Sequence, residues 1–364
     1  MIQLLILAVI VAAVGALYYV TRSTKEPTIF HHVSAVPPDY HWSKEEPLPI
    51  RPFVNKKNFN PSMGVKNLGK TPEDWLLIEN SYVHKTNLKR KTLEAHSDQI
   101  THIHKNKVTI EALKEFYEVT TQFLLDKYPQ HFKYSRWSGM VHNQINQDTF
   151  PKHSTKLSPE EMLHILATNL EEDFLILIKD NPQDADEEYI LRGAVSGFPT
   201  GFDPSKLFNK PVSAIHIPVP QYKPRLQFSM HKFFNNLKTT DLWVRHNWSI
   251  QTQGTYFNLG ALHGRPGEKI EKMKYEDIDF EGGGGDGDDR MGCCLRVERQ
   301  CFVRLPISKA MIMTIRTYLT PIKKVKEEGL GPDLSFAIDS LPDDLAYYKR
   351  RDAWGEAVKE YLAK

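Results

Sequence analysis

Residues 295–305 limit what this chain can fold into more than any other stretch. Side chains alternate across a β-strand, so Leu295, Val297, Cys301, Val303 and Leu305 form one apolar face, with Arg299 in its middle. A lone buried guanidinium costs several kcal/mol, so Arg299 demands an anionic partner inside that layer. The partner is either a protein carboxylate, such as Glu298 of a neighbouring turn, or a bound carboxylate or phosphate that suits the planar fork. Arg316, ending the apolar run 311–318, is a second inward arginine of the same kind.

Two further segments set polar groups into apolar runs. In 214–220, His216 stands between aliphatic neighbours just ahead of Pro218 and Pro220, which stiffen the backbone and remove two donors. A neutral imidazole on such a wall suits metal ligation or an axial bond to haem iron, and equally a hydrogen-bonded core. In 242–250, Leu242, Val244, His246, Trp248 and Ile250 share one face, and Trp243, Arg245, Asn247 and Ser249 the other. By this count His246 competes with His216 as a ligand. Two inward arginines and an apolar-walled histidine together suit a haem: an iron, two propionates and a large apolar ring.

Composition bounds the rest. A chain of 364 residues with 40% hydrophobic and 25% charged content is a folded globular protein of one large or two small domains. Its net charge of +2 is what 47 basic and 45 acidic residues leave, which argues against nucleic acid. Three cysteines make no disulfide framework and point to a reducing compartment.

Residues 4–20 are almost wholly apolar, and as a helix span about 26 Å, close to the hydrocarbon thickness of a bilayer. No Lys or Arg precedes the run, Arg22 and Lys25 follow it, and Tyr18 and Tyr19 sit at its edge. These flanks predict an uncleaved single-pass transmembrane helix over 1–22, anchored in the lipid bilayer of the endoplasmic reticulum or a similar membrane. The main domain is then cytosolic; the sequon Asn247-Trp248-Ser249 pulls towards the lumen.

The scaffold reads as helical first and mixed later, an α+β class. Residues 23–60 form a Pro-rich linker or wrapping arm, and Thr71-Pro72-Glu73-Asp74 starts a helix. An amphipathic helix is expected over 110–128, and Ser158-Pro159-Glu160-Glu161 caps another. Runs 174–178 and 189–195 read as strands, Met230 to Leu237 as helical packing, and 346–364 as a C-terminal packing helix. Residues 276–292 are a mobile Gly/Asp loop; its Asp286-Gly287-Asp288 matches the acid-x-acid pattern of some sugar-nucleotide transferases.

Several separated motifs lie in one order: Met63-Gly64 with Asp74-Trp75, Ile215-His216-x-Pro218-Val219-Pro220, Arg245-x-Asn247-Trp248, Arg296-x-Glu298-Arg299-Gln300 with Arg304-Leu305-Pro306, and Ile315-Arg316-Thr317-Tyr318. Over roughly 61–318 the chain resembles the haem-dependent oxidative N-demethylase alpha-subunit-like family, which has numerous fungal members, some membrane-anchored. The resemblance implies a domain over 61–345 with a PAS-like mixed sheet core that binds haem. It also implies, as in the characterised bacterial type, oxygen-dependent removal of a methyl group from a small amine. Carried over by position, His216 becomes the haem iron ligand, with His246 as the alternative. Arg245, Arg299 and Arg316 become propionate or substrate-pocket groups, and Asn247, Gln300 and Glu298 catalytic or polar pocket groups. The anchor, the arm and the Gly/Asp insertion depart from the bacterial type.

With no nicotinamide or flavin fingerprint in the chain, electrons are expected from a separate flavin/NAD(P)H reductase. A haem sensor without turnover is the reading from the binding class. A lumenal, metal-dependent glycosyltransferase using Asp286 and Asp288 is the third.

Overall fold

The alternating runs become the middle of a seven-stranded sheet. The computed structural model describes residues 28–54, 63–181, 184, 186–260, 262–282 and 291–364. In chain order the strands are β1 (Lys66–Asn67), β2 (Thr101–Ile103), β3 (Phe132–Ser135), β4 (Met140–Asn143), β5 (Thr149–Pro151), β6 (Asp173–Ile178), β7 (Ile190–Val195), β8 (Trp243–Gln251), β9 (Cys294–Arg304) and β10 (Met311–Pro321). The large sheet runs β1-β8-β9-β10-β6-β7-β2, and β3, β4 and β5 make a second, small one. The α+β content is as expected, but the paired strands are antiparallel throughout, where a mixed sheet was expected.

Register sets the two faces. Arg299 stands opposite His246 on β8 and Arg316 on β10, whereas Glu298 stands opposite Asn247 and Thr317, and Gln300 opposite Arg245 and Ile315. One face carries Val244, Cys301, Val303, Ile312, Phe174 and Ile176 against helices α1 (Tyr82–Ile100), α2 (Lys107–Lys127) and α3 (Pro159–Asn169). Further along the same face, Trp248, Ile250, Leu295, Val297 and Tyr318 meet the C-terminal helices, including Trp354 and Val358. The opposite face carries Leu177, Leu191, Phe302 and Met311 under Val212, Tyr222, Met230 and Phe234.

Local signals explain most boundaries. Ser158 forms the capping box with Glu161 and opens α3. Asn106 caps α2, which begins three residues before the expected start. Thr71-Pro72 yields only a single 3-10 turn, Pro72–Asp74, with no side-chain cap bond. Over residues 28–54 the arm is a strap rather than a free linker: Phe30 packs on Trp75 with ring centroids 4.8 Å apart, Tyr40 donates to the Ile78 carbonyl (2.6 Å), and Arg51 forks onto Glu328.

The expected membrane-spanning helix requires correction. Among the described residues no helix is long and apolar enough to cross a membrane, and residues 4–20 lie outside the described residues. The described residues therefore offer no support for the single-pass anchor. Asp286 and Asp288 also lie outside the described residues.

Candidate functional site

His216 ends the short helix Val212–Ile215, where its backbone N–H reaches the Val212 carbonyl (3.2 Å). Its Nδ1 lies 2.8 Å from the same carbonyl oxygen. A carbonyl only accepts, so Nδ1 carries the proton and Nε2 presents its lone pair. Among the described residues nothing bonds Nε2. The ring is held flat on Tyr222, centroids 4.9 Å apart and planes 19° apart. Burial first, and then the Arg245 charge, lower its pKa, so it is a neutral base near pH 7.

On the sheet face that carries Arg245, β8 and β9 present a polar belt. Glu298 accepts from Thr200 Oγ1 (2.8 Å), Gln300 Nε2 (3.0 Å), Arg296 Nε (3.4 Å) and Asn247 Nδ2 (3.5 Å). Burial works against its charge, yet Arg296 and these donors hold its pKa below the usual carboxylate value. Because a carboxylate accepts only, both amides must turn their NH2 ends to Glu298, leaving Asn247 Oδ1 and Gln300 Oε1 as acceptors for something else. Arg296 is spent inward on the carbonyls of Phe198 (2.5 Å) and Tyr256 (3.4 Å). Arg245 is different: its Nε is buried without a hydrogen-bond partner, and burial lowers its pKa against the pull of Glu298.

Three expected residues stand apart from this belt. Arg316 faces the opposite side of the sheet, bonded to Glu79 (2.6 Å), Glu172 (3.0 Å) and Glu171, with no solvent exposure. Burial opposes its charge, but Glu171, Tyr318, Glu172 and Glu79 together push its pKa well above the ordinary arginine value. Arg299, on that same face, donates to the backbone carbonyls of Asp74 and Trp75 (3.3 Å to Trp75). Glu298 is not its partner, since it lies on the other face of the strand; buried carbonyl dipoles answer the guanidinium there. His246 lies opposite Arg299 and so on the far side of the sheet from Arg245. The sheet thus brings together Arg245, Asn247, Glu298 and Gln300, with His216 on a separate short helix near enough to Arg245 to feel its charge, and it separates Arg299, Arg316 and His246 from them.

Sequence reading missed the groups supplied by loops. Thr200 comes from the stretch after β7. Lys349, which follows α7 (Asp343–Tyr348; α4 Gln227–Asn236, α5 Ile322–Glu327 and α6 Gly331–Asp339 precede it), bonds the Trp248 carbonyl on the edge of β8. Burial, with Arg245 assisting and Glu298 opposing, lowers Lys349 to about 8. His263 stacks on Tyr348 at 4.4 Å, and burial followed by the Lys349 charge lowers it to about 4. No spacing in the sequence marks these residues, since the C-terminal segment reads as packing alone.

The family model described as haem-dependent oxidative N-demethylase, alpha subunit-like, matches residues 64–359. The chain belongs to that family. No curated protein matches it significantly. The match runs through β10 into α8 (Arg351–Ala363), so the C-terminal segment carrying Lys349 is part of the demethylase-like domain.

The residues present fit the haem that the family description implies. Among the described residues no three His, Cys, Asp or Glu side chains gather to hold a bare metal ion, but haem needs only an axial ligand from the protein. His216 offers a lone pair with its other nitrogen tied to a carbonyl, the arrangement that orients metal-bound imidazoles. Arg245 offers a buried donor without a partner, suited to a propionate. Ile215, Val219, Trp243 and Met313 supply apolar wall beside them.

Proposed function

We propose that this demethylase-like protein binds haem through His216 Nε2 and removes an N-methyl group from a small amine as formaldehyde. The single observation that carries the reading is the Nδ1–H bond from His216 to the Val212 carbonyl, which fixes the tautomer and points the base. In the balanced reaction an N-methyl amine, dioxygen, two electrons and two protons give the demethylated amine, formaldehyde and water. When bound, haem supplies the oxygen activation; the chain supplies position, charge and dryness.

Within the belt, Glu298 fixes both amides so that Asn247 Oδ1 and Gln300 Oε1 are acceptors for an amine N–H. Arg245 takes a propionate carboxylate, which would relieve its orphaned Nε. After hydroxylation of the methyl carbon, the carbinolamine loses its hydroxyl proton as its C–N bond breaks, and the nitrogen gains a proton. Lys349, lowered to about 8 by burial and near enough to Glu298 to feel its charge, is a group able to exchange protons with that step. The two electrons come from a separate reductase, since the chain carries no nucleotide fingerprint.

The test is the absorbance of the full chain expressed with haem supply, beside His216→Ala. The expected result is a Soret band in the wild type that the variant loses or shifts, with formaldehyde released only when a reductase and an amine are both present. An unchanged band in the variant moves the ligand elsewhere. A haem spectrum with no turnover on any N-methyl amine assigns the protein to sensing instead.

A further inference from the structure

We propose that the surface surrounding His216 is the docking face for an acidic electron-carrier protein; this rests on the haem reading above. The turn that follows the histidine leaves Ile217 78% exposed, and the first turn of α4 leaves Phe228 80% exposed. Between them lies a π-helical turn, Tyr222–Leu226, entered through Gln221 in the left-handed region at φ 60°. Both features are uncommon, and such turns cluster at functional surfaces. The buried end of this turn is Tyr222, whose ring carries His216. One residue therefore separates the proposed iron ligand from exposed apolar surface.

Charge chooses the partner. Residues 211–240 contain Lys223, Arg225, Lys232 and Lys238 and no Asp or Glu. All four are exposed, and none forms an ion pair among the described residues. The acids near this stretch, Glu187, Glu188, Asp241 and Asp344, keep their charge but are each only partly exposed and bonded to neutral donors, Asp241 to the Lys238 N–H (3.0 Å). Glu188 accepts from the Ser213 N–H (2.9 Å), Glu187 from the N–H groups of Asp180 (2.9 Å) and Asn181 (2.6 Å), and Asp344 from Gln221 Nε2 (2.5 Å). The stretch thus exposes apolar side chains and positive ones more fully than the acids near it, the composition of a steered, short-lived protein interface. A partner seated there would bring its own redox centre close to His216, the residue that would hold the haem. It then delivers, one at a time, the two electrons that the reaction consumes.

The test uses the full chain loaded with haem and reduced by a plant-type [2Fe–2S] ferredoxin, an acidic one-electron carrier, with dithionite as the small-molecule control. The triple variant Lys223→Glu, Arg225→Glu, Lys232→Glu should slow reduction by ferredoxin at low salt by about tenfold or more and flatten its salt dependence. Dithionite reduction and the Soret band should not change. Phe228→Ser should slow the ferredoxin reaction while keeping its salt slope, and Lys107→Glu, on the far helix α2, should leave it alone.

The docking face is overturned if the triple variant slows no more than Lys107→Glu, or if ferredoxin reduces the wild type with no salt dependence. Loss of binding to phosphatidylserine vesicles with unchanged ferredoxin reduction also overturns it, by assigning the face to lipid. A wild type without a Soret band removes the haem reading and this proposal together. A normal band with unaltered rates removes only the docking face.

Discussion

Arg316 Nη2 lies 2.6 Å from Glu79 Oε2, tying the middle of β10 to the turn ahead of α1 with both side chains buried. Glu171 and Glu172 complete the arginine's ring of carboxylates, Lys85 lies 3.5 Å from Glu171, and Lys89 lies 3.2 Å from Asp173. A charged layer thus replaces an apolar one where three helices meet the sheet. Its groups answer one another, so it reads as architecture rather than as a ligand pocket.

Removing the cation from that layer should be severe. Arg316→Met leaves three carboxylates facing each other in a dry core, and breaking a buried pair in this way costs about 3–5 kcal/mol. Urea unfolding of the variant should show this loss, while whatever fraction folds keeps a normal haem spectrum, because the site lies across the sheet. A spectrum lost in parallel with no loss of stability would return Arg316 to the pocket.

Arg245→Met should behave in the opposite manner. Its guanidinium has a buried Nε without a partner, so truncation removes a propionate anchor at little cost to the apo fold. Transfer of haem to apomyoglobin should be faster by about tenfold, equivalent to about 1.4 kcal/mol. Equal transfer rates from both proteins would rule out the anchor.

Glu298→Gln tests the belt. The amide keeps the shape of the carboxylate but not its charge, and it can no longer accept at both oxygens from Thr200, Gln300, Asn247 and Arg296. Formaldehyde release should fall about tenfold or more, a barrier change of about 1.4 kcal/mol, with the Soret band retained. Full activity in the variant would show that the two amides need no carboxylate to hold them.

His263 gives the folded state a pH signature. Burial, followed by the Lys349 charge, lowers it to about 4, whereas in the unfolded chain it titrates near 6.5. Between those values the unfolded chain binds the extra proton. The histidine's contribution to stability is therefore complete above about pH 6.5 and declines as pH falls towards about 4. His263→Phe keeps the stack on Tyr348 and removes the titration, so its urea midpoint should drop less between about pH 7 and about pH 5 than the wild-type midpoint. An identical drop in both proteins would contradict this.

What the sequence disclosed and what it hid follow from range. Alternation placed Leu295, Val297, Arg299, Cys301 and Val303 on one face correctly, and it put Arg245 and Asn247 together on the other side from His246. It carried no information about which face a helix would close. Arg299 and Arg316 therefore looked like ligand groups, although carbonyls and carboxylates more than 140 residues away in the chain answer them. Helix α1 went unread because its inward positions include Lys85, Lys89, Thr86 and Thr92, which give no apolar stripe. The three short strands β3 to β5 fell below the length at which a period of two is visible. Thr200, His263 and Lys349 come from loops, which obey no period.

Strand β9 holds the two halves of this protein on odd and even positions: Arg299 belongs to the charged core, while Glu298 and Gln300 belong to the belt. One inserted or deleted residue in its middle would exchange the two sets, burying Glu298 among the helices and presenting Arg299 to the pocket. Substitutions along this strand can therefore be absorbed singly, but a change of length there would abolish fold and chemistry in one step.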